Sequence, residues 1–475
     1  VSIARLESSA VSTREVAQLF PLPISLFELY MLTDARPGYP MMCDLELHFD
    51  GVIERAAFDA AIRFAIGRHP LFQSIIVEGD KKRLFWELSD REPEVDWAPE
   101  GVPLGAKYDA FADLRTEIGL RVWVRQGETS AKVLVQFHHA CADGLGGIAF
   151  ADDLLVGYAA ACCTSTDADI APPPPLELER LRLRDNYGPD LRTRVRKGID
   201  WWITARESAR FVVQSPRPLP NGEVAATGTQ QSEIGFLSQP LSEEVTAGLR
   251  RAAAQAKATI NDVLLRDLFV AMREWCSAQN EPAGKRNLRI LMPQNLRLDF
   301  HRSMPAGNTM SFAFLTHKAT ECDKPNRLLA RIRDETDVIR RMRSSLIFIG
   351  SLVAAHRAGT FDWVKNTSYC FSTSVLTNLG DPTRRFATKF ARTDDGLRVG
   401  NLVFRGITGG PPLRPLTRAA FAVFKSARRM TISLKCDAAS YSSLDTRRLL
   451  DKYVEQLGQT ADAAIAASVV SRRPR

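Results

Sequence analysis

The chain has 475 residues, a net charge of +8, and 45% hydrophobic and 25% charged side chains. This is the composition of a soluble globular protein with full-sized cores, and the length is too great for one ordinary core, so two domains or subdomains are expected. The positive balance favours anionic partners; zinc-finger spacing and a helix-turn-helix signal are both missing, which argues against nucleic acid.

Eight cysteines are scattered, with only Cys162 and Cys163 adjacent. That pattern reads as free thiols in a reducing cytoplasm. Residues 1–20 lack the charged-then-apolar pattern of a signal peptide. The longest apolar run, Leu346 to Ala355, is too short to span a bilayer.

In chain order, Leu22 to Tyr30 reads as an N-terminal helix docked on a sheet. Asp44 to Phe49 alternates as a strand, and Asp50-Gly51 turns the chain. From Ile53 to Gly67 the apolar positions Ile53, Ala57, Ala60, Ala61, Phe64 and Ala65 share one helical face. Arg68-His69-Pro70-Leu71-Phe72-Gln73-Ser74 follows. His69 falls at the helix C-terminus, where an imidazole beside the last carbonyls is favourable, and is read as structural.

Val133, Val135 and Phe137 alternate with Lys132, Leu134 and Gln136, the period of a half-buried strand. The strand runs into Phe137-His138-His139-Ala140-Cys141-Ala142-Asp143-Gly144, and the largely apolar stretch from Leu145 to Cys163 reads as a helix. Successive strand side chains point to opposite faces. His138 and His139 therefore do not easily share a ligand: one should enter the packed interior and the other a cavity. That argues against a metal site. From the residues alone, a pair of core histidines, each hydrogen-bonded, is the alternative.

The run His138-His139-x-x-x-Asp143-Gly144 resembles the HHxxxDG motif of the thioester-dependent acyltransferases. These include chloramphenicol acetyltransferase, the condensation domains of non-ribosomal peptide synthetases, and the wax ester synthases. Other stretches resemble the same family in the same order. The Ser25-containing segment is similar to the start of wax ester synthases and condensation domains. Arg68 to Ser74 resembles the segment written RHExLRT, with Pro70 for the Glu and Gln73 for the second Arg. Thr259-Ile260-Asn261-Asp262-Val263-Leu264 resembles T-x-N-D-V-L, with Thr259 or Asn261 as helix cap. Pro293-Gln294-Asn295-Leu296-Arg297 resembles P-x-x-L-R, and Ser374 to Gly380 resembles the SNLG element, with Thr377 for the Ser. The resemblance covers roughly residues 20 to 465.

Between these stretches, Pro172 to Pro175 reads as an extended spacer. Residues 176–197 are dense in arginine, including Arg180, Arg182, Arg184, Arg192, Arg194 and Arg196, and read as a solvated face. A helical pattern begins around Trp201 and Trp202. Pro216, Pro218, Pro220 and Gly222 mark a boundary. The later elements are strands at Ser232–Leu237, Leu288–Met292, Thr309–Leu315 and Met430–Leu434, and helices from Ser242 and Ser443. The strand-loop-helix from Met430 echoes the one at His139 without its histidine. Asn326 to Arg343 is basic and amphipathic; it packs on a sheet or touches an anionic membrane.

The resemblance implies two chloramphenicol-acetyltransferase-like α/β subdomains, each a mixed β-sheet flanked by helices, with the active-site tunnel between them. The expected boundaries are 1–175, a connection over 176–225, and 226–475. His139 is implied as the general base and His138 as structural. Asp143 is implied to hold the loop by pairing with an arginine, Arg297 first and Arg68 second. Gly144 N–H, at a helix start, is the candidate oxyanion donor. Asn308, Ser374 and Asn378 line the channel or serve turns. Cys141 offers a competing acyl-enzyme route.

The expected activity is acyl transfer from a thioester to an alcohol or amine. Acyl-CoA or a phosphopantetheinyl carrier is the co-substrate, with acyl-CoA favoured; no bound cofactor and no metal are expected. The tail to Arg475 is too short for a carrier domain, so an acyl carrier protein would come from another chain. A monomer in the cytoplasm is expected. The alternatives are a stand-alone condensation-type enzyme that uses carrier-bound donors, and a catalytically silent, condensation-like binding module.

Overall fold

A computed structural model describes residues 16, 18–162, 172–188, 209, 211–222, 235–281, 286–394, 396–426 and 428–470. Arg192, Arg194, Arg196, Trp201, Trp202, Cys163, the first three residues expected in the strand from Ser232, and the tail beyond residue 470 lie outside the described residues.

The chain divides into two units. The first runs to Gly188 and adds Asn295–Met310 and Asp381–Pro412. Its six-stranded sheet has the order Leu397–Val399, Leu402–Gly410, Met42–Asp50, Ser130–His138, Leu120–Gln126, Val95–Pro99. Every pair is antiparallel except the last. The strand that ends in the histidine motif is therefore central and bonded on both edges.

The half-buried reading of that strand is corrected here. Leu134 and Gln136, on the face expected to be polar, are 3% and 1% exposed. Gln136 donates to Asp44 Oδ1 at 3.0 Å and to Tyr108 O at 3.2 Å, and Tyr108 donates to Asp44 Oδ2 at 2.9 Å. A buried polar network replaces solvent on that face.

On the other face the helix Gly144–Ala161 packs against Arg55–Arg68. Two glycines allow this approach. A Cβ on Gly147 would sit 2.5 Å from Phe137 Cζ, and one on Gly157 would sit 3.1 Å from Ala61 Cα. Among the described residues this helix alone is long and apolar enough to cross a membrane, and 78% of it is buried in the protein. Its apolar surface is consumed by the sheet and the neighbouring helix.

The second unit has its own sheet, ordered Met310–Lys318, Asn287–Asn295, Ser374–Gly380, Ala419–Ser426, Arg429–Cys436, Leu237–Pro240. Ser374–Gly380 runs parallel to both neighbours, and the other assigned pairs are antiparallel, so the sheet is mixed. Helices Glu243–Gln255, Ile260–Ala278 and Ser443–Val470 supply its core. Thr259, not Asn261, caps the second of these, in a capping box with Asp262. The amphipathic helix Pro325–Met342 buries Leu328, Leu329 and Ile332 beside Ile260–Ala278, while Val338 and Met342 stay exposed.

The expected contiguous halves differ from this division. Leu402–Gly410 hydrogen-bonds along Met42–Asp50, so a strand from late in the chain completes the first sheet. Arg385 and Lys389 reach the buried Asp152 at 2.5 and 2.6 Å. Arg184, expected on a solvated face, is 3% exposed and pairs with the buried Glu28 at 2.6 Å.

The proline-rich stretch is not a free boundary either. Its carbonyls are taken one after another by side chains of the second unit. Arg289 Nη2 donates to Phe211 O and Gln214 O, Thr373 Oγ1 to Arg217 O, Arg286 to Pro218 O, Arg418 to Leu219 O, and Tyr441 to Pro220 O. Extended, proline-broken backbone has no ladder partners, so its buried carbonyls need such donors.

Gly147→Ala would drive a methyl into Phe137. Overpacking of this kind costs about 1–3 kcal/mol, read as a lower unfolding midpoint; an unchanged midpoint would show that the ring yields freely.

Candidate active site

The central strand stops at His138, and residues 139–143 form the turn into the helix Gly144–Ala161. His139 N–H donates to Met41 O at 2.8 Å, and Cys141 N–H to His138 O at 2.9 Å. Met41 holds φ at 54°, in the left-handed region. For a non-glycine residue this costs roughly 1–2 kcal/mol, strain that sits directly beside the motif. Gly119 lies against the other side, where a Cβ would fall 2.4 Å from Cys141 Sγ.

The two histidines differ in how they are bonded. His138 is fully buried, and its Nδ1 accepts from Ala140 N–H at 3.1 Å. The neutral ring therefore carries its proton on Nε2. Burial, then the neighbouring His139 and Arg121, push its pKa down to about 3. His139 is 8% exposed. Of its two ring nitrogens only Nδ1 is both buried and unpartnered among the described residues. Burial lowers its pKa too, opposed by the carbonyls of His139 and Ala142, by Asp143 and by Asn308. The lowered pKa favours the neutral ring at physiological pH.

Asp143 closes the turn. Its Oδ1 accepts from Gly146 N–H at 2.9 Å, which caps the helix, and from Arg297 Nη2 at 2.9 Å. Its Oδ2 accepts from Arg297 Nη1 at 2.8 Å and from Thr309 N–H at 3.0 Å. Burial works against the carboxylate charge, yet Arg297 and these amides outweigh it and hold the pKa below the usual range. Arg297 Nη2 also donates to Gly307 O at 3.2 Å. Asp143 therefore binds three pieces of chain together: the turn, the helix start and the segment 297–309.

Asn308, expected in the channel or in a turn, is 1% exposed and donates to His139 O at 2.6 Å and Ala140 O at 2.9 Å. Gly144 is the first helical residue and partly exposed, and among the described residues its N–H makes no hydrogen bond. Arg68, the second candidate partner for Asp143, is elsewhere: it pairs with Asp153 at 2.6 Å. His69 Nε2 lies 3.0 Å from the same carboxylate, and its Nδ1 accepts from Ala306 N–H at 2.9 Å. His69 thus anchors the segment that bears Arg297 and Asn308.

Ser374 and Asn378 belong to the second unit. Ser374 Oγ donates to Ala419 O at 2.8 Å, and Asn378, which is exposed, donates to Asn261 Oδ1 at 3.3 Å. Both polar groups serve local structure there. Cys141 is fully buried, and burial, with Glu28, raises its pKa far above the ordinary thiol value. The thiolate needed for an acyl-enzyme is strongly disfavoured. Among the described residues no cluster of His, Cys, Asp or Glu could hold a metal ion.

Sequence reasoning missed the cap from Asp143 to Gly146, although Asp three residues before a helical N–H is a readable capping signal. It also missed Asp153, Gly119 and the Thr309 amide, none of which has a local pattern.

No family model matches the chain. The uncharacterized protein Rv2305 of Mycobacterium tuberculosis is 25% identical over 301 residues, 61% of this chain and 66% of its own length, just under two thirds. The probable non-canonical nonribosomal peptide synthetase CymA of Salinispora arenicola is 27% identical over 260 residues, 52% of this chain and 3% of the synthetase. Among solved structures, the epimerization domain from the third module of tyrocidine synthetase B superposes with a TM-score of 0.62 at 13% identity, covering 94% of this chain and 97% of that one. Trichothecene 15-O-acetyltransferase from Fusarium sporotrichioides gives 0.62 at 12% identity, covering 92% and 94%. The starter condensation domain of rhizomide synthetase, in complex with C8-CoA and Leu-SNAC, gives 0.58 at 14%, covering 95% and 97%. The fold is that of condensation domains and chloramphenicol-acetyltransferase-like acyltransferases, as the histidine motif implied.

Removing one partner of a buried ion pair costs roughly 3–5 kcal/mol. Asp143→Ala should approach that loss, reduced because the Arg297 side chain is 21% exposed. A double-mutant cycle with Arg297→Ala showing no coupling would refute the pairing.

A second prediction concerns acid. The unfolded His138 titrates near 6.5 and the folded one near 3, so the unfolded chain binds more protons between those values. This contribution to stability is complete above pH 6.5 and is lost as pH falls toward 3. His138→Gln should flatten the unfolding midpoint across that window, and an unaltered slope would refute the assignment.

Proposed function

We propose that the protein is an acyltransferase that moves an acyl group from a thioester to an alcohol or amine, with His139 as general base. The observation that carries this reading is a buried His139, its pKa lowered and its Nδ1 enclosed, in a turn braced by Asp143 and Asn308. His139 Nε2 takes the proton of the acceptor O–H or N–H as that atom bonds to the thioester carbon. The tetrahedral intermediate then expels the thiolate, which recovers the proton from His139 as the C–S bond breaks. Gly144 N–H, unengaged at a helix start, is the donor assigned to the oxyanion. A positioned base contributes about 10²–10⁴-fold.

Acyl-CoA is the favoured donor. The starter condensation domain that shares the fold is in complex with C8-CoA, and another neighbour is an acetyltransferase. A second reading, transfer from a carrier-protein thioester, is supported by the condensation domains among the neighbours and by the peptide-synthetase relative. A silent binding module has the same fold open to it; the intact histidine, Asp143 and Arg297 arrangement argues against it.

His139→Ala should lower transfer by about 10²–10⁴-fold and leave the thermal transition nearly unchanged, whereas Cys141→Ala should keep the activity. A trapped acyl-Cys141 would replace direct transfer with a covalent route. Because the base must be neutral and its pKa lies below 6.5, the rate should be flat through neutrality and fall only on the acid side of 6.5. An acid limb above that value would refute His139 as the base. Initial rates with acyl-CoA against the same acyl group on a carrier protein decide the donor. Failure to release thiol from either donor, with alcohols and amines present, would leave the binding-module reading.

A further inference from the structure

We infer that Asn308 is a positioning residue for His139: its amide N–H groups clamp the two carbonyls of the motif turn, and its Oδ1 faces the proton on His139 Nδ1. The inference rests on His139 being the base and concerns how the base is held ready.

Asn308 is 1% exposed, and both its donors are spent, on His139 O at 2.6 Å and Ala140 O at 2.9 Å. These two bonds settle which end of the amide is which, because a flipped amide would set Oδ1 against two carbonyl oxygens. The oxygen is then turned away from them, and among the described residues it is buried without a partner. His139 Nδ1 is buried without a partner as well. One atom is an obligate acceptor, and the other is a donor in one tautomer only.

A neutral imidazole has one N–H and one lone pair. The groups that favour a protonated His139 ring are its own carbonyl, Asp143, the Ala142 carbonyl and Asn308. All are acceptors or anionic, and a buried Nδ1 that carried the lone pair would find no donor among them. The proton on Nδ1 meets acceptors instead, and Nε2 is left with the lone pair that the reaction needs. Asn308 enters twice, through Oδ1 and through the His139 carbonyl that its amide fixes. Among the described residues no bond of full geometry reaches Nδ1, and catalytic hydrogen bonds commonly tighten only with substrate in place. Asp143 acts on the ring through its charge, while its oxygens are spent on Arg297 and two amides.

The test is ¹⁵N NMR of the full chain with labelled histidine. Seven histidines contribute, and His139→Gln identifies the signal that belongs to position 139. The wild type at neutral pH should show Nδ1 protonated and Nε2 not; the proton on Nε2 would overturn the inference without any variant. Asn308→Ala should weaken that preference, lower kcat by at least about tenfold with KM within about twofold, and move the acid limb of kcat to lower pH. Asn308→Ser, which keeps one donor for the turn, should recover part of the rate. Wild-type ring signals and an unaltered pH profile in a folded Asn308→Ala or Asn308→Ser protein would overturn the positioning role. The NMR result does not depend on activity. A protein that transfers no acyl group, yet changes tautomer in Asn308→Ala, would refute the proposed function and leave the positioning in place.

Discussion

The first unit depends on one buried carboxylate. Asp143 sits at the junction of a strand-end turn, a helix start and a segment that returns from more than 150 residues later in the chain, and it supplies acceptors to all three. An isolated charge in such a place would not survive burial. It persists because Arg297 meets it with two parallel N–H bonds and two backbone amides meet the rest. The pair is therefore a constraint more than a source of stability. Neither side is satisfied unless the segment 297–309 is seated, and seating that segment brings Asn308 to the carbonyls of His139 and Ala140.

Adjacent histidines acquire different properties from this frame. His138 has its Nδ1 occupied by the Ala140 amide and is enclosed by the sheet, so it is a neutral structural ring. His139 leaves the strand for the turn, and its Nδ1 is buried without a partner among the described residues. The division of labour comes from backbone direction at the end of a strand, one residue apart, and requires no difference in residue type. Strain is stored at the same place, in the left-handed backbone of Met41, whose carbonyl receives the His139 amide.

Much of this was legible beforehand where the signal was local. The strand into His138, the helix from Gly144, the capped helix after Thr259 and the helix from Ser443 follow from periodicity and capping residues that lie within one turn of each other. Motif order pointed to the fold, and Arg297 was named from its place in such a motif. Misreadings arose where a residue's partner is distant. Arg184 looks like one of a run of solvated arginines until Glu28 is placed beside it. Pro216 to Pro220 look like a linker until their carbonyls are seen to meet Thr373, Arg286, Arg418 and Tyr441. Arg68 looks available to Asp143 until Asp153 takes it.

By itself the sequence determined the fold class and the elements around the two histidines, because helix and strand periods, caps and turns are written in neighbouring residues. The tertiary structure decided the rest: that Leu402–Gly410 completes the first sheet, that Asn308 spends both donors on the motif turn, and that Ser374 and Asn378 are committed to local bonds in the second unit. Those outcomes depend on which buried donors and acceptors remain unpaired once the chain is packed. An unpaired buried group must find its partner in space, and the distance along the chain carries no record of which one it finds.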